Sequence, residues 1–341
     1  MKKNTNVDII DVAIKAGVSP ATVSRSFNHP DKVLMSTRKR IEKAISQTGY
    51  IRNRAAQAIQ GKRSGTVGLI VPTLDNAIFS NLIQAFSVEM RKYGFTMLVT
   101  TNGYDLNDEY TLLRSLLEHR VEGVALIGHD HSDETYNLLD IRNVPVVSMW
   151  NYKENSKISC VGGENKEAGA EIAKHITELG HTKIAVAFPN VKENDRARDR
   201  KIGVIEYLNK KGIIIPEYWN IKTEYSVSDA RNCAIKLLDN YNHPTAIIAG
   251  NDVIARGMIY AAQSRGLNVP NDISITGIGD FSSSESSFPS ITTVRMRPNE
   301  VGKKAASVLL ERINGDREAD PTRIRVSVEV KARESTKLIN N

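Results

Sequence analysis

The chain has 341 residues, a length that suits two or three domains, and its 25% charged and 40% hydrophobic residues exclude collagen-like and disordered chains. No apolar run approaches the roughly 18 residues that span a bilayer. The start, Met1-Lys2-Lys3-Asn4-Thr5-Asn6, has no apolar signal core, and Cys160 and Cys233 form neither a disulfide framework nor a metal-ligand pair. Membrane, secreted and zinc-finger proteins drop out, and a cytoplasmic protein is expected.

The net charge of +7 is concentrated at one end. Residues 1–65 carry thirteen Lys/Arg against four Asp/Glu, a net of +9, whereas residues 66–341 carry 33 against 35, a net of −2. A small basic head on a near-neutral body is the asymmetry of a nucleic-acid-binding module joined to something else. A basic tail that only aids solubility is the bland alternative.

The head carries a core pattern, which a tail would lack. Ile9, Val12, Ala13 and Ala16 fall on one helical face, with Asp8 placed to cap its start and Gly17 to end it. Ser19-Pro20 is an N-cap followed by proline, opening a second helix from about Pro20 to Phe27 with Val23 and Phe27 inward. Thr37 to Thr48 makes a third, with Ile41, Ala44 and Ile45 on one face. Two helices joined by a tight glycine turn and braced by a third describe a helix-turn-helix. On the second helix Pro20, Ala21, Thr22, Ser24 and Arg25 are small or polar, suited to a major groove. Thr22 and Ser24 can bond bases or phosphates, Ala21 can touch a thymine methyl, and Arg25 can bridge guanine O6 and N7.

From Thr66 the pattern changes to alternating apolar runs and amphipathic helices. Thr66–Val71, Thr96–Thr101, Val124–Gly128 and Val146–Met149 read as strands, with a helix from about Phe79 to Lys92. The rhythm restarts near Glu164: a helix to Leu179, then strands Ile184–Phe188, Trp219–Thr223, Ala246–Ala249 and Ile273–Ile278 with helices between. Repeated β-α alternation predicts an α/β body of two doubly wound parallel-sheet subdomains, behind an all-α head, with strand ends facing a shared cleft.

The run Asp11-Val12-Ala13-Ile14-Lys15-Ala16-Gly17-Val18-Ser19-Pro20-Ala21-Thr22-Val23-Ser24-Arg25-Ser26-Phe27-Asn28 resembles the DNA-binding head of the lactose-repressor family of bacterial transcription regulators. That family's pattern, D-V-A-x-x-A-G-V-S-x-A-T-V-S-R-x-x-N, continues here through Thr37-Arg38, Ala44-Ile45, Gly49-Tyr50 and Asn53. The resemblance extends over the body, through Glu164-Asn165…Gly169, Leu179-Gly180-His181, Pro244-Thr245-Ala246, Asn251-Asp252…Ala255 and Arg333-Glu334-Ser335-Thr336. It implies a periplasmic-binding-protein-like core and double-stranded, pseudo-palindromic operator DNA as partner. It implies a head over 1–50, a hinge over 51–65 and an effector-binding and dimerisation core over 66–341. The first subdomain is then about 66–162 with 293–322, and the second about 163–292 with 323–341. No heptad tail for tetramerisation follows Thr336, so a homodimer is expected.

The DNA-contacting set implied is Ser19, Pro20, Ala21, Thr22, Ser24, Arg25, Asn28, His29 and Thr37, with Asn53, Ala56 and Ile59 of the hinge. Paired hinge helices would enter the minor groove, and Ile59 stands where the family has a leucine wedge; Arg52 replaces a frequent proline. A plain linker helix is the alternative.

For the effector, Asn76-Ala77-Ile78-Phe79 resembles the family's N-P-F-F segment, so Ile78 and Phe79 should wall the cleft, unless Phe79 is ordinary core. Arg200 resembles the arginine that reaches the ligand, against a solvated arginine in the cluster with Arg196, Arg198 and Lys201. Tyr225 resembles an aromatic that stacks on a ligand ring, against surface packing. Asn251 is expected to bond ligand while Asp252 caps a helix. At Gly277-Ile278-Gly279-Asp280 the family commonly has G-F-D-D, whose first aspartate binds ligand hydroxyls. Gly279 removes that carboxylate while Arg200 stays, which makes the cleft more welcoming to an anion and admits a sugar acid beside a neutral sugar; Asp280 swinging into the cleft is the alternative.

His129-Asp130-His131 reads as a solvated polar loop rather than a metal site, and neither a nucleophile elbow nor a phosphate loop is present. No catalytic residue, metal or cofactor is expected. Three functions compete: a regulator, most simply a repressor of carbohydrate-utilisation genes with a sugar or sugar-acid effector, a regulator answering to a nucleobase, and a sugar-transport binding protein. The last has no use for residues 7–60. The regulator is the reading the sequence favours.

Overall fold

The computed structural model describes residues 7–52, 63–75, 77–240, 242–315 and 319–339, with the side chains of residues 77 and 78 outside that set. It comprises two compact units, residues 1–64 and 65–341.

In the first unit, α1 (Ile9–Ala16) begins with a reciprocal capping box between Asp8 and Asp11 and ends at Gly17 in the left-handed region, φ 63°. A residue with a side chain would be strained there. α2 (Pro20–Asn28) is capped by the Ser19 hydroxyl, which accepts from the Thr22 amide at 3.2 Å. α3 (Met35–Thr48) starts two residues before Thr37. Its N-cap, Leu34, offers only a backbone carbonyl, to the Arg38 amide, so no polar side chain marks the start in the sequence. Val12, Ala13, Ala16, Val23, Ile41 and Ala44 form the core where the three helices meet.

The second unit holds two six-stranded sheets. Its elements are β1 (Thr66–Val71), α4 (Ala77–Lys92), β2 (Thr96–Thr101), α5 (Leu106–Glu118), β3 (Val124–Ile127), α6 (Asp133–Ile141), β4 (Val146–Asn151), β5 (Ser159–Gly163), α7 (Asn165–Glu178), β6 (Ile184–Phe188) and α8 (Asp195–Lys210). There follow β7 (Asn220–Lys222), α9 (Val227–Leu238), β8 (Ala246–Ala249), α10 (Asp252–Ser264), β9 (Ser274–Gly279), the short α11 (Ser282–Glu285), β10 (Thr292–Arg295), α12 (Pro298–Asn314), β11 (Arg323–Arg325) and β12 (Glu329–Lys331). The first sheet runs β11-β5-β4-β3-β1-β2, all parallel. The second runs β12-β10-β9-β8-β6-β7, antiparallel only between β10 and β12.

The chain therefore passes between the sheets three times: after β5, after β10 and after β11. The last two passages fall later than the sequence suggests, because Thr292–Arg295 pairs in the second sheet and Arg323–Arg325 in the first. β11 and β12 have three residues each, too few to show a period. Trp219 closes a 3₁₀ turn instead of opening β7.

Among the described residues no helix is long and apolar enough to cross a membrane. Both sheets bury their apolar residues against the helices, and each fully buried Leu, Ile or Phe contributes roughly 1.5–3 kcal/mol. One pair of glycines positions the cleft. A Cβ on Gly169 of α7 would stand 2.0 Å from the Arg200 carbonyl, and one on Gly203 of α8 1.9 Å from the Lys166 carbonyl. Only bare backbone lets α7 and α8 approach this closely, and that approach sets the position of Arg200.

Candidate DNA-binding face and ligand cleft

On α2 the exposed residues Pro20, Ala21, Arg25 and Asn28, with half-buried Ser24, recur at helical spacing on the face opposite buried Val23. Ser19 and His29 are exposed at the two ends, half-buried Thr22 lies 2.9 Å from the Ser19 hydroxyl, and Thr37 is half-buried in the first turn of α3. Asn28 is engaged within the unit: its Nδ2 donates to Ser24 Oγ at 3.4 Å and its Oδ1 accepts from Arg52. The Arg52 guanidinium also lies 5.2 Å from the Phe27 ring centroid, a cation–π contact that ties the chain after α3 to α2. Asn53, Ala56 and Ile59 lie outside the described residues.

In the second unit the strands of both sheets end at one cleft. Phe79 (first turn of α4), Tyr104 (beyond β2), Trp150 (end of β4), Arg196 and Arg200 (α8), Tyr225 (before α9), Asn251 (before α10) and Phe281 (after β9) line a narrow pocket of about 10 Å³, room for a single water-sized molecule. Phe79 meets Trp150 edge-on at 6.5 Å, and Tyr104 stacks on Tyr225 at 5.8 Å across the cleft. Tyr104 and Trp150 hold left-handed backbone, φ 67° and 84°, a cost of order 1–3 kcal/mol each that concentrates at functional positions. A polar recess lined by Asn102, Glu109, Asp130 and Glu193 shares Tyr104 and Arg196 with this pocket. There the Asn102 Oδ1 is buried without a hydrogen bond among the described residues.

Arg200 is buried. Its Nε donates to Asn165 Oδ1 and its Nη1 to the Gly250 carbonyl, both at 2.8 Å, and it forms no ion pair among the described residues. Burial pushes its pKa down. The neighbouring Arg196 is neutralised: its Nη1 donates to Asp195 Oδ1 and to the Ile127 carbonyl, both at 2.9 Å. Burial alone would raise the Asp195 carboxyl, but Arg196, the Asn151 amide and the His129 backbone N–H together bring it below its usual range. Burial holds Asp199 above that range although Asn151 Nδ2 donates to it at 2.9 Å.

These bonds join the start of α8 to the ends of β3 and β4, and Arg198 adds a bidentate pair to Asp130 at 2.7 Å on each arm. His129-Asp130-His131 is accordingly not a solvated loop. His131 is buried with Nδ1 2.8 Å from Glu109, and His129 Nε2 lies 2.9 Å from the Asn151 carbonyl. Spacing alone could not reveal partners 22 residues away. The arginine cluster is likewise not solvated at Arg196 and Arg200.

Asn251 rather than Asp252 caps α10, accepting from the Ile254 amide at 2.9 Å, with no bond of its Nδ2 found among the described residues. Asp252 is buried and accepts from the Phe281 amide, Ser284 and Thr293. Asp280 does not turn into the cleft; Arg295 and Arg333 hold it, the latter at 2.6 Å. At Gly279 (φ 140°) a Cβ would stand 2.3 Å from the Phe281 ring, so Phe281 fills the space where the family pattern carries a carboxylate. Ile78 lies in the backbone of α4's first turn and its side chain is outside the described set. Phe79, Arg200, Tyr225 and Asn251 meet in one pocket, while Gly279 and Asp280 do not line it. The sequence reading does not reach Tyr104, Trp150, Arg196 and Phe281 as pocket residues, although each stands within three residues of a strand end or on the same helix as Arg200.

Residues 8–53 match the model of bacterial regulatory proteins of the lacI family, and residues 173–336 that of a periplasmic binding protein-like domain. The chain is 30% identical to the HTH-type transcriptional regulator DegA of Bacillus subtilis, over 97% of this chain and 98% of that protein. It is 29% identical to catabolite control protein A of Priestia megaterium, over 97% and 100%. The crystal structure of the lac repressor dimer bound to operator and the anti-inducer ONPF superposes with a TM-score of 0.85 at 26% identity, covering 98% of this chain and 100% of that one. With a helix-turn-helix head, a two-sheet body and a relative this similar along its whole length, the chain belongs to the lacI family of bacterial regulatory proteins and is a DNA-binding transcriptional regulator.

Proposed function

We propose that this regulator is a cytoplasmic homodimeric repressor of carbohydrate-utilisation genes, released from or fixed on a pseudo-palindromic operator by a small sugar acid bound in the cleft. The observation that carries the ligand class is Arg200, a buried guanidinium with no carboxylate partner among the described residues, opening on a pocket walled by five aromatic rings. A buried cation is costly until an anion pairs with it, and a planar carboxylate can take two of its N–H groups. The starts of α8 and α10 meet the same pocket and add positive dipole ends. Aromatic walls suit the C–H faces of a sugar ring, and Asn102 Oδ1 in the adjoining recess suits a hydroxyl donor.

Dimerisation is supported by large apolar side chains left exposed: Val88 and Tyr93 at α4, Val99 on the edge strand β2, Tyr260 on α10 and Phe288 beyond α11. Specific DNA contact is assigned to the exposed face of α2, with Ser19, His29 and Thr37 beside it, and to Asn53, Ala56 and Ile59 on sequence grounds. A nucleobase is the second reading, favoured by the same aromatic rings. The test is a thermal-shift screen of hexuronates, aldonates, neutral sugars and nucleobases. A ligand at about one hundred times its Kd should stabilise the body by roughly 2.7 kcal/mol. Stabilisation by uronate or aldonate that Arg200→Ala abolishes supports the sugar acid; stabilisation only by nucleobases overturns it.

A further inference from the structure

We propose that the outer side of α8 carries a second ligand site, separate from the cleft, for small amphipathic anions: an apolar tail over Val191, Ile202 and Ile205 and a carboxylate at Lys201.

Arg198, Lys201, Ile202 and Ile205 recur at i, i+3, i+4 and i+7 and form one stripe of α8, while Arg196 and Arg200 of the same helix serve the cleft. Between this stripe and Val191 lies an open groove of about 400 Å³. That volume falls within the roughly 300–1,000 Å³ of small-molecule sites, and the mix of an apolar floor with a few charged groups is their usual composition.

Charge selects the occupant. Among the described residues the Lys201 ammonium has no hydrogen bond or ion pair, and burial together with the neighbouring Lys222 ammonium pushes its pKa down. The one carboxylate on the groove, Glu206, is already held by Lys166 at 2.9 Å, and Arg198 by Asp130. The rim therefore carries positive charge without a counterion beside an apolar floor with Ile202 38% exposed. A neutral apolar molecule would leave the Lys201 ammonium unpaired. A cationic amphiphile would be repelled by it. A carboxylate satisfies Lys201, while its tail covers the isoleucines.

The experiment is isothermal titration calorimetry of the full-length protein with sodium octanoate, compared with acetate and octan-1-ol. The site predicts saturable one-to-one binding of octanoate with a Kd below about 1 mM. Acetate, which lacks the tail, and octanol, which lacks the charge, should each bind at least about tenfold more weakly. Lys201→Glu should weaken octanoate by about tenfold or more with the melting temperature unchanged, and Lys201→Arg should retain it. Absence of saturable binding, equal binding of octanol, or full binding by Lys201→Glu each overturns the proposal.

Discussion

Arg200 and Asn165 are joined by a 2.8 Å hydrogen bond that links the pocket to the bonds bridging the two sheets. Asn165 in turn donates to Asn151 Oδ1 at 2.9 Å, and Asn151 donates to Asp195 and Asp199 of the opposite half. A ligand that engages Arg200 therefore acts on a continuous line of bonds between the two sheets. A ligand can shift DNA affinity only by binding two forms of the body unequally, and we place that inequality in whether this line of bonds is made.

Replacing Arg200 by methionine tests whether this charge is held for ligand and not for stability. The substitution removes a buried cation, worth several kcal/mol of desolvation, but leaves the Asn165 and Gly250 acceptors unpaired at about 1–3 kcal/mol each. The two effects largely offset, so stability in urea should change by less than about 2 kcal/mol. Ligand stabilisation should vanish. A much larger loss of stability would make Arg200 a structural residue first.

Gly279 and Phe281 should be coupled. Gly279→Ala puts a Cβ against the Phe281 ring at a backbone angle unfavourable to side chains and should cost about 1–3 kcal/mol. In a Phe281→Ala background the steric part disappears and only the backbone part remains. A double-mutant cycle in urea denaturation checks this; strict additivity would mean that the ring does not occupy that space.

Acid should weaken the fold. Burial holds His129, His175 and His181 below the ordinary histidine value of about 6.5. As pH falls through that value the unfolded chain takes up protons that the native chain resists, so stability declines in the window just below it. Asp195 and Asp199 are shifted in opposite directions and act at lower pH, near the carboxylate range. The melting temperature should therefore fall between pH 7.5 and pH 5.5, by less in His129→Gln. A rise over that interval would show these histidines to be charged in the native state.

Arg25 is exposed on the face of α2 that Val23 does not use. Arg25→Ala should cost about 1–3 kcal/mol on the cognate operator and far less on random DNA. Equal losses in competition gel shifts would make it a phosphate contact. The +9 of residues 1–65 further predicts a steep fall of log K with log salt.

Much of this architecture is legible where local chemistry carries it. The caps at Asp8 and Ser19, the glycines at 17 and 49 and the periods of α1 and α2 are all local signals. In the body, β1, β6 and β8 are short apolar runs bounded by polar segments, and they stand out for that reason. β10, β11 and β12 do not, since they are short and mostly polar, and β11 and β12 pair with strands far away in sequence. The site shows the same division. Resemblance leads to Arg200 and Phe79, but not to Tyr104, placed by stacking on Tyr225 across the cleft, or to Trp150, placed edge-on to Phe79; both also need left-handed backbone. Asp280 does not turn inward because two arginines hold it, Arg295 at the end of β10 and Arg333 after the chain has returned to the second sheet.

The most direct test is a fluorescence-anisotropy titration of full-length protein on an operator recovered by in vitro selection, with and without the best uronate or aldonate from the thermal screen. Wild-type protein should change operator affinity by about 5- to 150-fold when the acid is added. Arg200→Ala should match ligand-free wild type on the operator and show no response at any concentration of the acid. An Arg200→Ala protein that responds as fully as wild type would contradict the account.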